Sequence, residues 1–199
     1  MVETMRLIFN FTDKHAKQTI TDAMTRFHAA HSFDRIHFNI GPESGFRLID
    51  QDLHVTIDKK LIETEFIKID VLKAILFAEL KKHEHATGLD FLDEITVGNR
   101  IIKHGLKDEY FLYNLQRIKS YDIKTAEDFL GLCSLYIAFH THDNHDYNFL
   151  KSMIAFSKID KSIIEKSSDI IDMMHNDFHP STMAKVASIY NRMKESGTI

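Results

Sequence analysis

Two periodicities divide the chain. Near the N-terminus apolar residues alternate with polar ones: Met5, Leu7, Phe9 and Phe11, then Ile36, Phe38 and Ile40, then Phe46 and Leu48, then Leu53, Val55 and Ile57. A period of two sends successive side chains to opposite faces of an extended segment, so these runs predict strands with one buried face. Gly41-Pro42-Glu43-Ser44-Gly45 and Asp50-Gln51-Asp52 separate the last three runs and read as turns. Between the first two runs, Ala16, Ile20, Ala23, Met24 and Phe27 recur at helical spacing behind Thr12 or Asp13, either of which can cap a helix. The order is β-α-β-β-β, and short turns between alternating runs predict an antiparallel meander.

From about residue 69 the period changes to 3.6. Helices are predicted over 69–87, 90–104, 107–120, 125–141, 146–157, 160–175 and 181–195. Thr87-Gly88 and His104-Gly105 read as C-terminal caps, Thr125 with Asp128 as a capping box, and Pro180 as a residue just before or at the first turn of the last helix. The fold class is α+β: an N-terminal β-α-β-β-β layer packed on a C-terminal helical lobe. One domain is expected over 1–199, with the layer at 1–60, the first two helices after it at 61–105, and the lobe at 106–199. No internal repeat breaks this plan.

Composition narrows the function classes. The formal charge is −4, and basic residues alternate with acids rather than forming a block, so no nucleic-acid partner is expected. A single cysteine, Cys133, allows no disulfide framework within the chain and no Cys-based metal site. It lies in the apolar run Phe129-Leu-Gly-Leu-Cys-Ser-Leu-Tyr-Ile-Ala138 and reads as a small buried hydrophobe. The start, Met1-Val-Glu-Thr-Met-Arg6, is too polar for a signal peptide, and apolar runs such as Ile75–Ala78 are too short to span a membrane. A cytoplasmic location is the expectation.

The first helix of the 3.6 period carries the main chemical question. In Asp70-Val-Leu-Lys-Ala-Ile-Leu-Phe-Ala-Glu-Leu-Lys-Lys-His-Glu-His-Ala-Thr-Gly88, the stripe Leu72, Ile75 and Leu76 continues at spacings of three and four through Glu79, Lys82, His83 and Ala86. A carboxylate on a buried stripe is costly unless it is paired or hydrogen-bonded, so Glu79 requires a partner.

The segment Lys73-Ala-Ile-Leu-Phe-Ala78-Glu79-Leu-Lys-Lys82 resembles the active-site helix of gluzincin-type zinc metallopeptidases. That helix carries HExxH: two histidines one turn apart hold zinc, and the glutamate between them is the general base. Glu79 matches the glutamate. Ala78 and Lys82 stand where the histidines would be. The strand Leu53–Ile57 precedes the helix as the family's edge strand does, and Asp93-Glu94-Ile-Thr-Val-Gly-Asn-Arg-Ile-Ile-Lys-His-Gly105 resembles its second helix, which supplies an acidic third ligand. The likeness covers about residues 50–105. It implies a zincin-like scaffold whose site has lost its metal ligands, with Ala78, Glu79, Lys82, Asp93 and Glu94 at site-like positions and Lys82 serving as counter-ion to Glu79 and Glu94 in place of the metal.

Other groupings offer ligand chemistry. His83-Glu84-His85-Ala86-Thr87 is an incomplete HExxH one turn on, with His83 and His85 as weak metal candidates. His140-Thr-His142-Asp143-Asn-His145-Asp146 is the densest cluster, and its imidazoles and carboxylates suit zinc, nickel or copper; the alternative is a polar interhelical loop with Asp143 or Asp146 as a cap. His175 and His179 are four apart, but Asn176, Asp177 and Pro180 predict that the helix ends between them. Met183, Val186, Ala187, Tyr190 and Met193 share one face of the last helix, for packing or for a partner. No phosphate-binding glycine loop and no nucleophile elbow occurs.

The function these residues point to is non-catalytic: a binding or regulatory role on a metallopeptidase-like scaffold, with a protein partner or self-association. No cofactor is expected, and zinc is the ion to test. Two alternatives stay open: a metal-dependent hydrolase using unconventional His, Asp and Glu ligands, and a structural, oligomerising helical protein.

Overall fold

The computed structural model describes residues 6–26, 32–155, 159–176 and 180–199. They fall into two compact units, Met1–Glu84 and His85–Ile199. The chain therefore divides once, after Glu84, and the boundary separates the two helices that the sequence placed together in 61–105.

The first unit contains β1 (Arg6–Phe9), α1 (Lys14–Arg26), β2 (Arg35–Gly41), β3 (Gly45–Ile49), β4 (Asp52–Asp58) and α2 (Ile67–Lys82). The predicted β-α-β-β-β order holds, but the meander does not. The strand order is β1-β2-β4-β3; β1, β2 and β4 run parallel, and only β3 is antiparallel, paired to β4. Alternation in sequence reports burial on one face, which a parallel strand can share, and says nothing about strand direction. β3 swings outward by one strand and β4 returns into the gap beside β2. Leu53–Ile57 is thus an interior strand, and the antiparallel edge strand is β3.

Both helices of this unit cover one face of the sheet. Ala16, Ile20 and Met24 from α1 and Ile67, Val71, Ile75 and Ala78 from α2 bury Ile36, Phe38, Leu53, Val55 and Ile57. The other face carries Arg35, His37, Arg47, Asp52, His54 and Thr56; the His37 and His54 rings, in register on β2 and β4, stack at 4.3 Å. Phe27, counted in the α1 stripe from sequence, lies outside the described residues, as does Met5 of the first run.

The second unit holds α3 (Asp90–Lys103), α4 (Lys107–Ser120), α5 (Ala126–Ile137), α6 (Asn144–Ala155), α7 (Lys161–Asn176) and α8 (Pro180–Glu195). Each predicted helix is present. α5 is the core: Phe129, Leu130, Leu132, Cys133, Leu135, Tyr136 and Ile137 are all buried, against α3, α6 and α7. An apolar residue at nearly every position is the pattern of a helix covered on all sides. The capping box forms as read, with Asp128 N donating to Thr125 Oγ1 at 3.1 Å and Thr125 N donating to Asp128 Oδ2 at 2.8 Å.

Gly105, at φ +81°, ends α3 with Leu106 N donating to Ile101 O, a Schellman closure. Thr87-Gly88 does not cap α2. The helix stops at Lys82, Glu84 takes φ +55°, and Thr87 instead bonds to the start of α3, its N and Oγ1 both donating to Asp93 Oδ1 at 2.8 and 2.9 Å. Among the described residues, no helix is long and apolar enough to cross a membrane.

Candidate functional site

The last turn of α2 places Ala78, Glu79 and Lys82 as its phase on the sheet dictates. Ile67, Val71, Ile75 and Ala78 form the stripe that meets the strands, and Ala78 is fully buried among them. Its methyl group belongs to the core of the first unit and offers no lone pair. Glu79, one residue on, turns toward the segment that leads into β2, where its Oε1 accepts a 2.9 Å hydrogen bond from Ser32 Oγ. This supplies the partner that the sequence demanded for a carboxylate on that stripe.

Lys82 completes the same corner. Its ammonium donates to the Ser32 carbonyl oxygen and, at 2.6 Å, to Gln51 Oε1 in the β3–β4 turn. It also lies 5.2 Å from the centre of the Phe33 ring. One lysine thus ties the end of α2 to two loops of the sheet. The expectation that it neutralises Glu79 and Glu94 is corrected: its ammonium bonds to neutral oxygens. The reason is reach, since Ser32 and Gln51 bring acceptors to the lysine's own end of the helix.

Glu94 finds its charge within α3 and α4. Its Oε1 lies 3.3 Å from Arg117 Nη1 and accepts from Tyr110 Oη at 3.0 Å. Asp93 holds Thr87. The five site-like positions therefore serve distinct tasks: Ala78 in the core, Glu79 on Ser32, Lys82 on the loops, Asp93 at a helix start and Glu94 in an ion pair. The residues at the two histidine positions do not fit zinc. One has no donor atom, and the other is a cation already held by acceptors.

The shifted motif also fails. His83 is the cap residue of α2, and the left-handed Glu84 carries His85 and Thr87 off the helix, so no one-turn pairing exists there.

The dense cluster at 140–146 opens into separate environments. His142 Nε2 meets Asn99 Oδ1 at 2.7 Å, and burial lowers its pKa. His145 is 85% exposed. Asp143 caps α6, its Oδ1 accepting from the backbone N of His145 and Asp146 at 2.9 and 3.1 Å. His140 packs instead against Tyr147 and His175. Asp143, His145 and Asp146 could still converge on an ion. Lys107 already occupies that spot, with Nζ 2.6 Å from Asp143 Oδ2 and 3.2 Å from Asp146 Oδ2. The hydrogen bond from Lys107 and the capping N–H of Asp146 hold the Asp143 carboxyl down at about 2. An ammonium between two carboxylates, expected at Lys82, is found at Lys107.

Sequence reasoning missed Ser32, Gln51, Lys107, Arg117 and Tyr147. Ser32 and Glu79 are 47 positions apart, and no local spacing joins them. A signal did exist for Tyr147: Tyr147 and Lys151 stand four apart on α6 and so share a face.

No protein-family model, no curated protein and no solved structure matches the chain.

Proposed function

We propose that this chain is a non-catalytic protein with a binding or regulatory role, built on a scaffold like that of the zinc metallopeptidases but without their reaction. The observation that carries the reading is the state of the two positions at which such enzymes hold their ion. Ala78 is sealed in the core, and the Lys82 ammonium is bonded to Ser32 and Gln51. A peptidase needs an ion there to polarise a carbonyl and acidify water, and Glu79 alone, hydrogen-bonded to Ser32, performs neither task.

The test is to restore the ligands. Ala78→His with Lys82→His, made in a His175→Gln background to remove the histidine pair discussed below, is expected to gain one equivalent of zinc over that background. Equal zinc binding with and without the restored histidines overturns the scaffold reading. Peptide hydrolysis by the unaltered chain, abolished by Glu79→Gln, overturns the non-catalytic one. A hydrolase centred on Asp143, His145 and Asp146 is the weaker reading, because Lys107 competes with any ion for both carboxylates.

A further inference from the structure

Where α5, α6 and α7 converge, three rings meet edge to face. The centroids of His140 and His175 are 5.3 Å apart at 87°, those of His140 and Tyr147 are 5.0 Å apart at 64°, and those of Tyr147 and His175 are 5.8 Å apart at 89°. We propose that His140, His175 and Tyr147 form a binding site for one divalent transition-metal ion of the zinc, cobalt or copper class.

The tautomer of His175 is fixed by its surroundings. Nδ1 lies 2.7 Å from the carbonyl oxygen of Ile171, which can only accept, so Nδ1 carries the proton and Nε2 keeps its lone pair. That lone pair accepts from Tyr147 Oη at 2.8 Å. An imidazole whose one nitrogen donates to a backbone carbonyl, leaving the other with its lone pair, is the usual arrangement of a metal-binding histidine.

His140 supplies the second observation. Its Nδ1 is buried and has no hydrogen-bond partner. Buried polar atoms are nearly always satisfied, and an orphan calls for a ligand. Two imidazoles bound to one tetrahedral ion at 2.0–2.1 Å have ring centroids about 5 Å apart, which agrees with the spacing of His140 and His175. The ligand atoms of such an ion lie about 3.3 Å from one another, so the 2.8 Å contact between Tyr147 and His175 needs to open only slightly.

The binding step balances simply. The ion accepts lone pairs from two neutral imidazoles and from Tyr147 Oη, and the phenol proton is released to solvent. Lys151 Nζ, 3.3 Å from the same oxygen, stabilises the phenolate that remains. Two imidazoles and a phenolate select borderline ions over calcium and magnesium. The three ligands come from the turn after α5, from α6 and from α7, so a bound ion ties these elements together.

The full chain, made without a histidine tag, is titrated with Co(II) and then competed with Zn(II). One equivalent of cobalt with tetrahedral d–d absorption, a tyrosinate difference band, release of one proton and a raised Tm are expected. Tyr147→Phe and His175→Gln should each weaken binding at least tenfold, while His145→Ala, at the exposed imidazole beside Asp143 and Asp146, should leave it unchanged. Absence of binding below millimolar cobalt overturns the site. So does binding that survives both ligand substitutions, or that falls with His145→Ala. The unaltered chain carries the test by itself if a variant fails to fold, because the tyrosinate band reports Tyr147 directly. The site is independent of the proposed scaffold reading, whose carrying observation concerns Ala78 and Lys82 in the other unit.

Discussion

Tyr110 Oη donates a 3.0 Å hydrogen bond to Glu94 Oε1, and the Arg117 guanidinium reaches the same oxygen at 3.3 Å. The phenol is fully buried, and the carboxylate is nearly so. Burial, reinforced by the neighbouring Glu94 charge, raises the Tyr110 pKa well above its ordinary value, so the phenol stays a donor. A buried charge deprived of its partner destabilises far more than the pair stabilises. Arg117→Met should therefore lower unfolding free energy by about 2–3 kcal/mol, the low end for a broken buried pair because the arginine is partly exposed. Adding Glu94→Gln should restore most of the loss. Urea denaturation of the single and double variants checks this, and a double variant no more stable than Arg117→Met contradicts it.

Gly98 makes that arrangement possible. A Cβ at Gly98 would collide with Tyr110 Oη and approach Ala138 Cβ to 2.8 Å. Glycine inside a helix usually loses about 1 kcal/mol relative to alanine, so propensity alone makes Gly98→Ala stabilising; here overpacking reverses the sign. The variant should be destabilised by about 1–3 kcal/mol. Gly105→Ala tests a different cause, left-handed backbone at φ +81° in open space, and should be milder, about 1 kcal/mol. Equal or greater stability of Gly98→Ala in thermal melts would refute the close approach of α3 to Tyr110 and Ala138.

Lys107 and Asp143 set a pH dependence whose sign is fixed. Asp143 is held at about 2 in the folded chain, against about 3.9 for a free aspartate. A depressed carboxylate contributes stability above its unfolded value and loses it as pH falls through the folded one, so the contribution should fade between about pH 4 and pH 2. Lys107 is shifted upward, chiefly by its hydrogen bonds to Asp143 and Asp146, and its contribution is lost only at strongly alkaline pH. In Lys107→Met the Asp143 carboxyl should titrate higher, but still below a free aspartate, because the two capping N–H groups remain. Carboxyl NMR titration measures this; an unchanged value would show that the cap alone is responsible.

Cys133 is buried in α5, and burial pushes its thiol up to about 12. The thiolate is the reactive form, so the native protein should resist disulfide reagents at neutral pH. Labelling should proceed only through opened molecules and accelerate across the denaturation transition. Rapid stoichiometric labelling of the native chain would contradict the packing of α5.

The capping box at Thr125, the Schellman turn at Gly105 and the seven helices after residue 66 were legible because their causes are local. So were the four strand runs and Cys133. The path of β4 was not. Alternation identified the faces of Leu53, Val55 and Ile57 correctly, yet their neighbour is β2 in parallel rather than a meander partner, since pairing direction is settled by where the chain returns. At the candidate site, the need of Glu79 for a partner was legible, while Ser32 as that partner was not.

By itself the sequence determined which segments are helical or extended, which faces are apolar, and that Ala78 and Lys82 are not zinc ligands; each follows from residue chemistry and spacing along the chain. Only the tertiary structure decided which charge meets which. Lys82 is bound to Ser32 and Gln51, Arg117 answers Glu94, Lys107 sits between two aspartates, and His140 meets His175 rather than its sequence neighbours. Electrostatic and hydrogen-bond partners are selected by distance in space, and that distance is set by helix packing, which local spacing does not encode.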